Sequence, residues 1–597
     1  MVLQKLVFPD CSIFEDALYY RGNRTHIAMI WEEHKIVSRS CYQPIKFNTY
    51  FNSFSYGKWK KYTRIKNLRL SLNIKGKCRV CLIRDELTRD GSDEYPLCSV
   101  LVDHKERATV ELEYPACPGD SLLSFFIYPL SDLVEIYDGE YITDIEEAEI
   151  QEIDIALAIC TFRREDYIAR NMAMLKKHVF DNQYSVLHDH LRVYISDNGN
   201  TLDANSMDTP FVKLFPNKNS GGSGGFSRAA IEAMQDKSFN PSHIILMDDD
   251  IEFYIDTLEK NYSFLRILKP EYKISMIGGA MLRADKRWIQ HAAGETYNLD
   301  GIVFNKADYN MASLVDVLRN EVEERINYLG WWYCCIPVSI FEKMQFSLPL
   351  FVQFDDIEFS LRNNDVPKIT LNGICCWHIP FDKKWSGFKN YYTIRNRSIV
   401  NAIHFEKFNR KRFIRSVAGS SLKALARFNY NEANLVLLGG EDFLKGMSWL
   451  VKQDPAELNT QVISMSDKLA DLDQLPVPFD SRSLKKNSDF YKVKRHTLRR
   501  LLTANGWFLP SNRIITVEVD NPPISYFNRA KTVLKYDINT GKGLVVEKDY
   551  HQAYMVLSRL MKLVVISRRS FSAAVSEYQN TKQEVTSKEF WKQFLGF

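Results

Sequence analysis

At 597 residues the chain has room for about three or four domains of roughly 100–200 residues each. Hydrophobic residues make up 45% and charged residues 25%, an ordinary globular balance, and the net charge of +4 is too small for a nucleic-acid-binding protein. The eleven cysteines have no framework spacing, and the adjacent pairs Cys334–Cys335 and Cys375–Cys376 suit small core residues of a reducing compartment better than disulfides.

The opening segment, residues 1–14, lacks the basic-then-apolar order of a signal peptide, and no apolar run approaches the ~20 residues of a membrane span. A cytoplasmic protein is therefore expected. Residues 1–150 carry strand patterns. Leu68, Leu70, Leu72 and Ile74 alternate with polar residues, Gly76 punctuates, and Cys78, Val80 and Leu82 resume the alternation. This predicts a hairpin turning at Gly76. Further strands are predicted at 108–114, 122–128 and 133–143, the last interrupted by a turn at Asp138-Gly139. A β-sandwich is the natural closure. Cys78 and Cys81 form a CxxC, but no second pair completes a zinc set.

The pattern changes near Ile153. Continuous apolar runs at 155–160, 191–196 and 243–247 alternate with helical stretches, which predicts a parallel sheet covered on both faces over 151–405. From 406 to 597 the periodicity is mainly helical. Basic clusters there (Lys407, Arg410, Lys411, Arg412, Arg415, then Lys492, Lys494, Arg495, Arg499, Arg500) suit solvated helix faces or a surface for anionic lipid.

Polar clusters follow three of the apolar strands, at 161–164, 197–198 and 248–250, and ligands gather beyond the carboxyl ends of such strands. Asp248 and Asp250 would share one face of a continuing strand, with Asp249 on the other. A same-face carboxylate pair is a hard-oxygen site for Mg²⁺ or Mn²⁺. Gly221, Gly222, Gly224 and Gly225 form a loop before a helix predicted to start near Ser227, and exposed N–H groups there suit an anion. Asp355, Asp356 and Glu358 open another helix and include a candidate general base. Trp377-His378 ends an apolar strand, and Trp331 and Trp332 are either core or a sugar platform.

Taken in order, CTFRR at 160–164, SDNGN at 196–200, NSGGSGGF at 219–226, MDDD at 247–250, IGGAML at 277–282, the tryptophan pair, the 348–359 stretch, Trp377-His378 and IRN at 394–396 resemble the bacterial galactan-polymerising galactofuranosyltransferases of glycosyltransferase family 2. Residues 49–59 resemble their N-terminal β domain. The resemblance is strong over 150–405, good over 45–90 and weak beyond 410. It implies an α/β protein: an N-terminal β-sandwich (1–150), a central GT-A domain with a Rossmann-like mixed sheet (151–405), and a C-terminal mainly helical domain (406–597). It implies a UDP-galactofuranose donor and Mn²⁺ or Mg²⁺ held by Asp248, Asp250 and His378. Asp356 matches the catalytic base. Arg164, Asn198, Asp249 and the four glycines fall on the donor side, and Trp331, Trp332, Asp355 and Glu358 on the acceptor side. Asn198 and Phe354 stand where the family pattern has Gln and Trp. A lipid-linked glycan acceptor, homo-oligomers and work at the inner membrane face are further implications. Two alternatives stay open: another donor (UDP-galactopyranose, UDP-glucose, dTDP-rhamnose), or a non-catalytic glycan-binding protein.

Overall fold

A computed structural model describes the chain except residues 10–14, 40, 42, 120, 380–386 and 487–501. The basic cluster at 492–500 lies outside the described residues. Four long strands carry the N-terminal sheet: β1 (Arg69–Thr88), β2 (Gly91–Glu113), β3 (Leu122–Pro129) and β4 (Val134–Ile142). The hairpin expected at Gly76 is instead a bend inside β1. Gly76 sits at φ +112, where a Cβ would meet the Leu133 carbonyl at 2.5 Å. Before the bend β1 pairs with β4, after it with β3, and almost throughout with β2. One bent strand therefore serves two layers. Phe125 of β3 and Tyr141 of β4 meet between them, ring centroids 6.5 Å apart. Asp138-Gly139 is likewise not a turn; it lies within β4, beside a register slip against β1.

The central sheet follows from chain order. β5 (Ile155–Thr161), α1 (Glu165–Leu175), β6 (Leu191–Asp197), β7 (Val212–Pro216), α2 (Gly221–Gln235), β8 (His243–Asp248) and α3 (Ile255–Arg266) lead into β9 (Met276–Arg283), β10 (Tyr333–Pro337), α4 (Asp355–Arg362) and β11 (Lys368–His378). The order is β7-β6-β5-β8-β10-β9, with β11 beside β9. β5 through β8 are parallel, β10 is antiparallel to both neighbours, and β9 and β11 run parallel to each other. The expected mixed α/β architecture is present. Continuous apolar runs such as Ile155–Ile159 are buried on both faces.

One apolar core runs from Leu3 through Phe264 to Trp377, joining the N-terminal sheet to the central one. Beyond it, α5 (Lys389–His404), α6 (Arg410–Ala426), α7 (Tyr430–Phe443) and the 36-residue α8 (Tyr550–Val585) form a helical bundle, with Phe413 against Phe571 and Phe443 stacked on Tyr578. A five-stranded sheet within 470–547 interrupts this mainly helical region. Its longest strands are only six or seven residues, too short to stand out against helical periodicity. The last helix, α9 (Lys588–Leu595), returns to pack on α2. Among the described residues no helix is long and apolar enough to cross a membrane.

Candidate active site

β5, β6, β8 and β11 end at one edge of the sheet, and their final residues converge. β8 stops at Asp248 and the chain turns through Asp249 and Asp250. One ligand atom from each of Asp248, Asp250 and His378 lies within 4.8 Å of the others. His378 Nε2 is 3.1 Å from Asp250. Asp249 turns away: it accepts from Thr161 Oγ1 at 2.7 Å and from Arg164 at 3.3 Å. Arg164 also pairs with Asp250. Burial, then Asp250 and Asp249, push the Asp248 carboxyl well above its ordinary range, with Arg164 opposing. Such crowded carboxylates call for a cation. Ligands at ~2.0–2.2 Å from an ion lie up to ~4.4 Å apart, so the three donors fit a divalent ion after a few tenths of an ångström of closure. Two carboxylates and one imidazole make a donor set that a divalent ion can use.

The second element is an acid pair presented by a strained loop. Phe351, Gln353 and Phe354 all have positive φ (75°, 66° and 69°), costly for non-glycine residues. Asn396 holds the loop, its Nδ2 donating to Leu350 O at 3.1 Å, Val352 O at 2.8 Å and Gln353 O at 3.0 Å. The buried Arg395 adds a bond to Leu350 O at 2.9 Å. The strained loop ends at Asp355 and Asp356, the first residues of α4. Burial raises both carboxyls, and the neighbouring Asp355 raises Asp356 further. Ser223 Oγ donates to Asp355 at 3.3 Å.

Sequence reasoning missed Glu295. It is 1% exposed, neither oxygen has a hydrogen-bond partner at normal geometry, and burial followed by Asp356 pushes its carboxyl up to about 8. A buried carboxyl this poorly satisfied is uncommon. Nothing in the local sequence marks it; only the fold brings it to Asp356. Asn396 was visible as part of a motif but not as the loop's anchor.

Several expected site residues stand elsewhere. Glu358 is fully buried against Arg362 (2.9 Å) and His404 (3.0 Å), which hold its carboxyl below the usual range against the effect of burial, so it buttresses α4 and does not reach the cleft. Trp331 is core, its ring against Phe226 and Phe359. Trp332 is buried too, its N–H bonded to Gly279 O at 2.8 Å. The glycines do not form a loop: α2 begins at Gly221, six residues earlier than expected. Gly221 (φ +66) abuts the Phe351 carbonyl, and a Cβ on Gly222 would lie 3.3 Å from Asp355, so these two border the acid pair. A Cβ on Gly225 would lie 2.1 Å from Cys160 Sγ, and one on Gly224 would meet Ser220 at 2.4 Å and Trp591 at 3.4 Å. Gly224 and Gly225 therefore serve close packing rather than ligand approach. Asn198 donates to Gly221 O at 3.0 Å and accepts from Asn217 at 2.7 Å, tying β6 to the start of α2.

Comparisons with known proteins bear on this geometry. Residues 3–114 match the family model described as galactofuranosyltransferase 2 N-terminal. The chain is 26% identical over 440 residues to galactofuranosyltransferase GlfT2 of Mycobacterium tuberculosis (strain ATCC 25618 / H37Rv), covering 67% of this chain and 65% of that protein. It is 26% identical over 432 residues to the GlfT2 of Mycolicibacterium smegmatis, covering 67% and 64%. The matched region thus spans just under two thirds of these relatives. Among solved structures, similarity extends to the mannosyltransferase PcManGT from Pyrobaculum calidifontis in complex with GDP-Man and Mn²⁺ (13% identity, 54% of this chain, 87% of that chain, TM-score 0.29). It extends also to Staphylococcus aureus TarS 1–349 (10% identity, 52% and 90%, TM-score 0.29).

Proposed function

The chain is GlfT2-like in sequence, and we propose that it is an inverting, metal-dependent glycosyltransferase that moves galactofuranose from UDP-galactofuranose onto a growing, lipid-linked glycan. The observation that carries this reading is the meeting, at one sheet edge, of the Asp248–Asp250–His378 cluster with the buried Asp355 and the half-buried Asp356. Asp248, Asp250 and His378 would hold Mn²⁺ or Mg²⁺, which neutralises charge developing on the diphosphate. Arg164 adds a fixed cation beside them, oriented by Asp249. Asp356 takes the proton from the acceptor hydroxyl. Its raised pKa places it closer to neutral pH, where a general base works best. Attack by that oxygen opposite the leaving diphosphate inverts the anomeric centre. Homo-oligomers and a position at the inner face of the cell membrane complete the reading and rest on the family resemblance.

The test is UDP release by the purified chain, with Mn²⁺, a panel of UDP- and dTDP-sugars and lipid-linked acceptors. Turnover with UDP-galactofuranose, abolished by EDTA and restored by Mn²⁺, is expected. Turnover with a different sugar nucleotide replaces the donor assignment. Binding of glycan with no turnover of any donor returns the chain to a non-catalytic glycan-binding protein.

A further inference from the structure

The loop that leads to Asp355 and Asp356 is gripped by α5. The Phe351 ring stacks on Tyr392 at 5.5 Å, Thr393 Oγ1 donates to Gln353 at 3.0 Å, and Arg395 and Asn396 together collect the carbonyls of Leu350, Val352 and Gln353. α5 is in turn anchored from behind. Arg395 is 1% exposed, and its guanidinium lies 5.0 Å from the ring centroids of both Tyr391 and Tyr392. A buried cation calls for a counter-charge. Here it comes from α7 and is reached through a hydroxyl. Arg395 donates to Tyr391 Oη at 3.1 Å, and that hydroxyl donates to Asp442 at 2.7 Å. Asp442 is buried as well, and its other oxygen accepts from Lys445 at 2.7 Å. Gly439 lies three positions before Asp442 on the same helix face and lets α7 come this close, since a Cβ there would stand 2.5 Å from the Tyr391 carbonyl. A chain of buried groups, Asp442–Tyr391–Arg395–Leu350, thus runs from the C-terminal bundle to the start of the strained loop.

We propose that Asp442 and Tyr391 are positioning residues: through Arg395 they fix the 350–354 loop, and with it the place of Asp356 in the cleft. Neither has exposed surface with which to meet a substrate, so any effect on turnover passes through the loop. Two features favour positioning over a purely structural tie between helices. The chain of hydrogen bonds ends on a carbonyl of the loop itself, at Leu350. The segment it holds has three left-handed non-glycine residues, a conformation that persists only where surrounding contacts over-determine it. Cutting the chain at the Tyr391 hydroxyl leaves the apolar faces of α5 and α7 packed, but frees Arg395 to shift and the loop to relax. The inference deepens the function proposed above and rests, for its effect on turnover, on Asp356 acting as the base.

The experiment uses the full chain and two nearly isosteric variants. Tyr391→Phe removes the hydroxyl and keeps the ring, and Asp442→Asn removes the charge and keeps the shape. Hydrogen exchange read by mass spectrometry tests the hold on the loop without any turnover. Amides of 348–356 should exchange about ten-fold faster or more in both variants, while α6 and α8 stay as protected as in wild type. In UDP release, kcat should fall about ten-fold with the donor KM within about two-fold of wild type. The double variant should be no more than about two-fold worse than the poorer single variant, as two links of one chain require. Unchanged exchange at 348–356 overturns the proposal, and so do losses that multiply in the double variant. Asp356→Asn, measured alongside, separates this inference from the reading beneath it. If Asp356→Asn turns over like wild type, the base assignment fails, and the exchange data still decide whether the loop is held from α7. If Asp356→Asn is inactive and the two variants loosen the loop yet keep wild-type kcat, the positioning role is overturned.

Discussion

At the residue scale the three acids that open α4 have different fates. Asp356 is half-buried beside Asp355, and both its loss of solvation and that neighbour favour its protonated form. A base must be ionised to work, so kcat should rise with pH through an acid limb above the usual carboxylate range. A limb near pH 4 in the pH–kcat profile removes Asp356 from that role. Asp356→Asn is nearly isosteric and should lose at least ~10²-fold in kcat while still binding UDP with Mn²⁺ by calorimetry. Asp355→Asn should lose less, because its carboxylate is engaged by Ser223. Glu358→Gln should instead show as lost stability, since it removes the buried carboxylate that pairs with the half-buried Arg362 and His404.

At the element scale the active loop is expensive to hold. Left-handed non-glycine residues cost on the order of 1–3 kcal/mol each, and the 351–354 segment has three. The three carbonyls gathered by Asn396 offset that strain. Asn396→Ala should therefore lower kcat by more than it weakens donor binding, because the loop that presents Asp356 relaxes while the Asp248–Asp250–His378 cluster is untouched. Steady-state kinetics in which only the donor KM changes would contradict this. The glycine-rich helix makes a second case. Sequence alone suggests that Gly224→Val would block a ligand. Its position against Ser220 and Trp591 now predicts lost α2–α9 packing, seen as a lower melting temperature. Gly225→Ala should be at least as damaging, since the added Cβ would overlap Cys160 Sγ.

At the scale of the whole molecule, the N-terminal sheet is joined to the central one by buried polar groups as well as by the shared core. Lys58 donates to Thr370 O at 2.8 Å, Ser55 to Glu321 at 2.8 Å, and Tyr19 shares a hydrogen bond with Tyr254 at 2.8 Å. Nearby, Lys260 donates to Asn372 O at 2.6 Å, and burial lowers its pKa to about 7. Above the unfolded value of ~10.4 neither state carries the charge. As pH falls toward 7 only the unfolded lysine is protonated, so this residue makes the fold less stable; below about 7 the loss levels off. Lys260→Met should flatten the dependence of stability on pH between about 7 and 10. Denaturation curves whose pH slope matches wild type in that window would show that Lys260 is charged in the fold.

The apolar runs at 155–160, 191–196 and 243–247 were legible because strands buried on both faces have no polar alternation to hide them. The Asp248–Asp250–His378 cluster was legible in part: Asp248 and Asp250 are two positions apart and His378 ends an apolar strand, but only the fold brings the histidine to the two acids. The bend at Gly76 was not legible, because a glycine that kinks a strand and one that ends it look alike along the chain; the pairing of β1 with both β3 and β4 decides it. Glu295 was not legible either, because its meaning is a distance to Asp356 across sixty-one positions of sequence. The same holds for Asn396, whose three acceptors lie more than forty residues upstream. Side-chain chemistry and local periodicity are properties of short segments, so the sequence by itself determined the sheet, the acid clusters and their family likeness. Which acid faces the cleft, which glycine packs and which strained loop is held are set by contacts between distant segments, and those the tertiary structure alone decided.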